Sequence, residues 1–252
     1  MGRRSMSQLF SYLLIDNSNS RTKFATASRD ALGGERRTVP TPALDAASIR
    51  EALAGWSFDR VVLSSVVPEK AALIARVLDR ELLAISHKLK LGVAIDFPDP
   101  STIGADRLAN AAAVVALYDV PAVVIDFGTA VTFDVVSAEK AYVGGVIAPG
   151  LDVMTDYLHQ RTALLPRITL KEPPGVIGKS TESAMLSGAV HGYRGLIKEI
   201  LSEIQEEFGE PPLHVITTGG YAALISSKLS GIEAVNPDLT LEGLRIIANL
   251  NS

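Results

Sequence analysis

Residues 122–132 read AVVIDFGTAVT, an apolar run that ends in Asp126 and turns through Gly128 and Thr129. A short apolar run bounded by turn residues is typical of a buried strand. An aspartate at such a strand end, beside exposed backbone N–H groups and a hydroxyl, can organise a cation while the turn amides hold a phosphate. Aspartate and glycine are also the favoured residues of an ordinary hairpin turn. For this stretch alone, both interpretations stay open.

A second stretch has the same layout 110 residues earlier. The apolar residues 12–15 stop at Asp16, small polar residues follow, and a threonine stands six positions after each aspartate, at Thr22 and Thr132. The repeated layout predicts two similar α/β halves that meet near residue 120, each with a candidate phosphate loop. It makes the phosphate-binding interpretation of both turns stronger than it is for either one alone.

Length and composition bound the class of protein. The chain has 252 residues, a net charge of −4 and 47% hydrophobic residues, which excludes general disorder. At about 150 residues per domain, one large domain or two compact halves are expected. The mild acidity disfavours nucleic-acid binding. The absence of cysteine excludes disulfides and thiolate chemistry and fits a reducing compartment.

We expect a cytoplasmic protein without a membrane segment. No run of 18 apolar residues occurs, and the arginines near the start are not followed by a signal-peptide pattern. Met6 is a second candidate start, which would make residues 1–5 an extension.

Hydrophobic periodicity and turn residues predict the remaining elements. We predict strands at 24–27, 61–63, 93–95, 132–136, 142–147 and 214–217, and a turn at Gly33-Gly34. Helices are predicted at 42–55, 69–83, 104–118, 151–164, 182–208 and 221–229, and Thr240 is predicted to be the N-cap of a last helix.

Three loop-to-helix junctions are further candidates. At Gly104–Arg107, the carboxylate of Asp106 would lie in the first turn of a helix, and Arg107 could hold an anion. From this segment alone, plain helix capping with a surface arginine is the better interpretation. The segment 178–182 is equally consistent with a polar ligand site and with a helix N-cap. The segment 217–220 either lets the backbone approach a flat ligand such as adenine or forms a simple strand–helix turn.

Other familiar sites are missing from the sequence. It contains no Gly-x-x-x-x-Gly-Lys-[Ser/Thr] motif and no Gly-x-Gly-x-x-Gly after the first strand. The four histidines, at positions 87, 159, 191 and 214, lack metal-ligand spacing, so we interpret them as structural or surface residues.

An ordered set of motifs resembles the type III pantothenate kinase family. The motifs run from about residue 12 to residue 244: Asp16 with Asn19, SSVVP at 64–68, GADR at 104–107, DFGTA at 126–130, Gly144-Gly145 with Pro149-Gly150, Thr181, and Gly219-Gly220. Each motif is weak by itself, whereas the ordered set is specific. The resemblance implies the actin-like sugar-kinase fold, an α/β fold with two RNase-H-like halves, here 1–120 and 121–252. It also implies ATP with Mg²⁺ bound between the halves, and a homodimer whose interface helps to form the pantothenate pocket.

The resemblance also implies residue roles. Asp106 matches the general base, and Phe97, Gly104, Ala105, Arg107 and Thr181 match the pantothenate-binding positions. The first ATP-phosphate loop covers Asp16, Asn17, Ser18, Asn19, Ser20, Arg21, Thr22 and Lys23, and Thr129 matches a contact in the second. Asp126 matches the ligand of the monovalent cation, K⁺ or NH₄⁺, that the family requires.

Departures from the family pattern leave two alternatives to an active pantothenate kinase. Ser18 replaces a glycine of the first loop, Phe97 replaces a tyrosine, and Ala25 replaces a further glycine. A side chain at position 18 would hinder close approach of the backbone to phosphate. The alternatives are a non-catalytic relative with a regulatory or accessory role and a kinase for another small hydroxy compound. Retention of Asp16, Asp106 and Asp126 favours the active enzyme.

Overall fold

The computed structural model describes residues 10–252, which form two compact units. The first contains residues 10–118 together with 238–252, and the second contains residues 119–237. The first break lies close to the predicted boundary at 120. The last helix, predicted as part of the half 121–252, instead belongs to the first unit. The alternative start at Met6 lies outside the described residues.

Strands and helices alternate along most of the chain. The strands are β1 (Phe10–Asn17), β2 (Arg21–Ala27), β3 (Leu32–Pro40), β4 (Phe58–Ser65), β5 (Leu82–Ala84), β6 (Ala94–Ile95), β7 (Ala122–Phe127), β8 (Ala130–Val136), β9 (Ala141–Pro149), β10 (His214–Gly219) and β11 (Ile232–Val235). The helices are α1 (Ala46–Leu53), α2 (Pro68–Leu78), α3 (Ala105–Leu117), α4 (Leu151–Arg161), α5 (Thr181–Phe208), α6 (Ala222–Ser226) and α7 (Leu239–Leu250). Short 3-10 helices cover Thr41–Ala43 and Pro100–Thr102.

The first unit is built on a mixed sheet with the strand order β3-β2-β1-β4-β5. Strands β1 to β3 form an antiparallel meander, whereas β4 runs parallel to β1 and β5 parallel to β4. Alternate residues of β1 and β4 enter a core that includes Leu13, Ile15 and Leu63 and also contains Ile49 of α1 and Ile74 of α2. The polar residues at the ends of β1 and β4 are thereby held on a rigid sheet.

Helices α3 and α7 pack against each other within the first unit. A Cβ atom at Gly243 would overlap the backbone of Ala109, so this close approach requires a glycine. Thr240 donates a hydrogen bond from Oγ1 to Oδ1 of Asn110 at 2.9 Å. The predicted N-cap role of Thr240 is therefore wrong. The N-cap position is Asp238, which makes no capping side-chain bond.

The second unit repeats the arrangement with the strand order β11-β10-β7-β8-β9. Strands β7, β8 and β9 form an antiparallel meander, and β10 runs parallel to both β7 and β11. The core combines apolar residues of the sheet, such as Ile125 and Phe133, with Val190 and Ile197 of the long helix α5. The repeat of a meander followed by parallel strands bears out the two similar halves predicted from the paired strand–aspartate turns.

Several predicted boundaries differ from the structure. Gly33 and Gly34 lie in β3 rather than in a turn, and residues 82–84 form β5 rather than the end of a helix. Strand β11 was not predicted. Within residues 10–252, no helix is long and apolar enough to cross a membrane.

Candidate functional site

The first candidate loop joins β1 to β2. Asp16 is the next-to-last residue of β1 and is 5% exposed, Asn17 ends the strand and is 1% exposed, and the tight turn follows at residues 18–20. The backbone N–H of Ser18 donates to the carbonyl of Arg21 at 3.1 Å. Its hydroxyl donates to Oδ1 of Asp16 at 3.3 Å. Among residues 10–252, positive φ outside glycine occurs only at Asp79 and Lys140, so serine occupies position 18 without backbone strain.

A buried hydrogen-bond network supports this loop from behind. The Ser65 hydroxyl donates to Oδ1 of Asn17 at 2.7 Å, and the Asn17 amide donates to the Thr22 hydroxyl at 2.8 Å. The Thr22 hydroxyl lies 2.9 Å from that of Thr41, which donates to the carbonyl of Ser18 at 2.7 Å. Sequence reasoning missed Thr41, because it belongs to no motif and follows β3.

Asp16 also has a polar neighbour on the adjacent strand β4. Asp16 of β1 is in register with Ser64 of β4, so both side chains lie on the same face of the sheet. The Ser64 residue is 1% exposed, and its hydroxyl has no hydrogen-bond partner among the described residues. A carboxylate beside an unsatisfied hydroxyl suits a hydrated Mg²⁺ ion, which prefers oxygen ligands and keeps several waters.

The second candidate element is the start of α3. Gly104 is its N-cap residue, and Asp106 lies in its first turn, as predicted. The backbone N–H of Arg107 donates to Oδ1 of Asp106 at 2.9 Å. A Cβ atom at Gly104 would lie 2.5 Å from the same oxygen. Any side chain at position 104 would therefore displace the Asp106 carboxylate. Burial raises the pKa of Asp106 above its ordinary value of 3.8, and the Arg107 N–H and charge oppose that rise.

The other predicted pantothenate contacts divide between the two units. Ala105 and Arg107 are half-buried in the first turn of α3, and Phe97 lies between β6 and the 3-10 helix at Pro100–Thr102. Thr181 is the first residue of α5 and is exposed. Ser180, not Thr181, caps this helix through a reciprocal bond with Ser183, so the cap does not use the Thr181 hydroxyl.

The second unit places Asp126 in a glycine-lined position at the end of β7. The Gly128 N–H donates to the carbonyl of Ala130 at 3.1 Å, which closes the tight turn to β8 that holds Thr129. Gly219, the last residue of β10, pairs with Phe127 of β7 and has φ +93°. A Cβ atom there would lie 2.6 Å from Oδ1 of Asp126. It would also lie 2.6 Å from the backbone nitrogen of Phe127, so the close approach of β10 to this end of β7 requires a glycine.

In the described part of the chain, no group of three or more His, Asp or Glu side chains has the arrangement of a metal site. Any cation bound at Asp16 or Asp126 would therefore need further ligands from hydroxyl groups, backbone carbonyls, water or phosphate oxygens. Such a ligand set suits hard cations that are bound together with phosphate groups.

Comparison with known proteins identifies the family. The sequence profile of the type III pantothenate kinase family matches residues 12–203. A type III pantothenate kinase of Akkermansia muciniphila is 53% identical over 240 residues, which is 95% of this chain and 99% of the relative. One of Methylacidiphilum infernorum is 42% identical over 94% of this chain and 88% of the relative. The chain belongs to the type III pantothenate kinase family.

Solved structures extend the likeness beyond this family and show the fold. MreB 5 of Spiroplasma citri bound to AMPPNP has a TM-score of 0.53 at 10% identity, covering 93% of this chain and 95% of that one. Component A of the (R)-2-hydroxyglutaryl-CoA dehydratase of Acidaminococcus fermentans has a TM-score of 0.51 at 14% identity, covering 95% and 96%. This member of the type III pantothenate kinase family thus has the actin-like α/β fold, and the predicted fold class is confirmed.

Proposed function

We propose that this chain transfers the γ-phosphoryl group of ATP to the hydroxyl group of pantothenate, giving 4′-phosphopantothenate and ADP as the first step of coenzyme A biosynthesis. Membership in the type III pantothenate kinase family supports the substrate. The observation that carries the chemistry is the half-buried Asp106 carboxylate, held at the start of α3 by the Arg107 N–H beside a glycine that leaves it room.

Asp106 acts as the general base. As the pantothenate hydroxyl oxygen forms its bond to the γ-phosphorus and the bond to the bridging oxygen of ADP breaks, the hydroxyl proton passes to the carboxylate. The raised pKa of Asp106 makes it a better proton acceptor than an exposed aspartate. Gly104, Ala105, Arg107, Phe97 and Thr181 are the proposed contacts to pantothenate.

The first loop, Asp16–Lys23, and Thr129 bind the phosphates of ATP. Backbone N–H groups of a tight turn and the Lys23 ammonium are suitable partners for phosphate oxygens. Mg²⁺ bound with ATP supplies charge neutralisation on the β- and γ-phosphates. Asp16 and the buried Ser64 hydroxyl are the residues that would hold it through its waters.

Asp126 is the proposed ligand of a monovalent cation, K⁺ or NH₄⁺. Its carboxylate stands next to the turn of Gly128 and Thr129, where an ion would bind together with other oxygen ligands. In buffers that contain Na⁺ as the only monovalent cation, we expect turnover far below that in K⁺ or NH₄⁺. Equal rates in the two buffers would remove Asp126 from this role.

A homodimer in the cytoplasm is the proposed form of the protein. Exposed large apolar side chains are concentrated between residues 147 and 177, namely Ile147, Val153, Met154, Tyr157, Leu158, Leu164, Val176 and Ile177. Concentrated exposed apolar surface is typical of a protein interface. Light scattering coupled to size-exclusion chromatography should give twice the chain mass of 26.7 kDa, and a monomer at assay concentration would contradict the proposal.

A coupled ADP-release assay tests the proposed reaction. It is run with pantothenate and several nucleoside triphosphates, in K⁺ and in Na⁺, and with other small hydroxy compounds as alternative acceptors. We expect pantothenate-dependent ADP release with ATP in K⁺. ADP release only with another acceptor would replace the substrate, and no release with any acceptor would favour the non-catalytic alternative.

A further inference from the structure

We propose that Thr41 is a positioning residue for the nucleotide, which fixes the β1–β2 loop in the shape that offers the Asn19 backbone N–H to phosphate. This inference rests on the proposed ATP-binding role of that loop.

Thr41 holds the loop at two points. Its side-chain hydroxyl donates to the carbonyl oxygen of Ser18 at 2.7 Å, and its backbone N–H donates to the carbonyl oxygen of Ser20 at 3.0 Å. These two carbonyls lie on either side of Asn19, the exposed tip of the turn. Thr41 itself is 3% exposed, so both hydrogen bonds are protected from competition with bulk water.

The network behind the loop has a single consistent direction. The hydroxyl of Thr41 has one proton, which it gives to the Ser18 carbonyl, so the 2.9 Å contact with Thr22 requires Thr22 to be the donor. Thr22 in turn accepts from the Asn17 amide, and Asn17 accepts from the Ser65 hydroxyl. The side chains of β4, β1 and β2 and the hydroxyl directly after β3 therefore form one continuous chain of hydrogen bonds. This chain ends at the carbonyl oxygen of Ser18 in the loop.

Because the peptide bond is planar, the hydrogen bond to the Ser18 carbonyl also fixes the direction of the Asn19 N–H. In a trans peptide, the C=O of one residue and the N–H of the following residue point in opposite directions. With the Ser18 carbonyl turned toward Thr41, the N–H of the exposed residue Asn19 points away from Thr41. Rotation of that plane would present a carbonyl oxygen to the phosphate and repel it.

Thr41→Val tests the proposal, because it keeps the shape of the side chain and removes only the hydroxyl. Isothermal titration calorimetry with ADP and with a non-hydrolysable ATP analogue measures nucleotide affinity. We expect the Kd of both to rise about tenfold, which corresponds to the loss of about one hydrogen bond. The KM for pantothenate should change by less than about twofold in the same variant. Thr41→Ser, which keeps the hydroxyl, should restore most of the affinity.

Thr240→Val is the matched control. It removes another buried threonine hydroxyl of the first unit that donates to a polar acceptor, Oδ1 of Asn110. We expect a comparable fall in melting temperature without a change in nucleotide affinity. If Thr41→Val prevents folding, Thr41→Ala is measured in its place.

The outcomes separate this inference from the proposed function. Wild-type affinity in Thr41→Val, an equal loss for nucleotide and pantothenate, or an equal loss in Thr240→Val would each overturn the positioning role. Failure of the unmodified chain to bind nucleotide would instead overturn the assignment of the loop itself.

Discussion

Substitution of Gly104 by alanine is expected to slow phosphoryl transfer by moving the Asp106 carboxylate, while the fold stays intact. The new Cβ atom would lie 2.5 Å from Oδ1 of Asp106, whereas ordinary contacts of a Cβ begin at 3.4 Å, so the carboxylate must move by about 0.9 Å. A displacement of about 1 Å of a reacting group can cost about 100-fold in rate. We therefore expect kcat to fall about 100-fold, which corresponds to about 2.7 kcal/mol of transition-state stabilisation.

The stability of this variant should change little. The backbone of Gly104, at φ −59° and ψ 144°, is open to alanine, and the atom that obstructs the Cβ is the end of a movable side chain. We expect a change in unfolding free energy within about 1 kcal/mol, since poorer capping is offset by a less flexible unfolded chain. Urea denaturation measures this value, and the coupled ADP-release assay measures kcat.

Gly34→Ala is the matched control for Gly104→Ala. Gly34 lies in β3 of the same unit, and a Cβ atom there would meet nothing within 4 Å. This control should keep its kcat within about twofold, because no reacting group moves. A folded Gly104→Ala variant with an equally unchanged kcat would refute the claim that the position of the Asp106 carboxylate limits the reaction.

Three further predictions follow from the charges and glycines of the two units. Because burial raises the pKa of Asp106, its charged form destabilises the fold at neutral pH. The Asp106→Asn variant should therefore melt at a higher temperature than wild type at pH 7. This difference in melting temperature should disappear as the pH falls toward 3.8. Hydrogen bonds from partners including Arg194 lower the pKa of Glu172 to about 2, so the stability deficit of Glu172→Gln in urea denaturation should shrink as the pH falls from 4.5 toward 2; a pH-independent deficit would contradict this pairing. Gly219→Ala, at φ +93° and against Asp126, should lose about 2–4 kcal/mol of unfolding free energy and its response to K⁺; retention of both would refute the glycine requirement.

The sequence predicts the fold class and the main strands because their signals are local. Buried strands that end in Asp16 and Asp126 have continuous apolar runs, and α3 has a start signal at Gly104 with an alanine-rich body. These signals do not depend on what lies far away in the chain. The positions of both aspartates at strand ends, and of Asp106 in a first helical turn, were predicted for this reason.

The elements that sequence reasoning missed depend on distant partners. Residues 82–84 have an apolar composition that suits the end of a helix equally well, and only parallel pairing with β4 makes them a strand. Gly33 and Gly34 belong to β3 because the residues on both sides of them pair with β2, Leu32 with Ala27 and Arg36 with Ala25. The return of α7 to the first unit depends on its contact with α3, where Gly243 meets Ala109.

The support of the candidate site is equally non-local. Thr41 stands 23 residues after Ser18, which it holds, and no spacing rule links the two. That Ser18 hinders the approach of the backbone to phosphate stays a prediction, and the structure shows that this serine has no positive φ and donates its hydroxyl to Asp16. Motifs mark the candidate ligand-binding residues, whereas a residue that orients their loop, such as Thr41, is found only from the hydrogen bonds of the folded chain.

The most direct test of the central claim is the pantothenate-dependent turnover of Asp106→Asn in K⁺ buffer with saturating ATP. We predict a loss of about 10²–10⁴-fold in kcat, the usual contribution of a general base, with nucleotide affinity and a cooperative thermal transition retained. Wild-type turnover in a folded Asp106→Asn variant would contradict the assignment of Asp106 as the base.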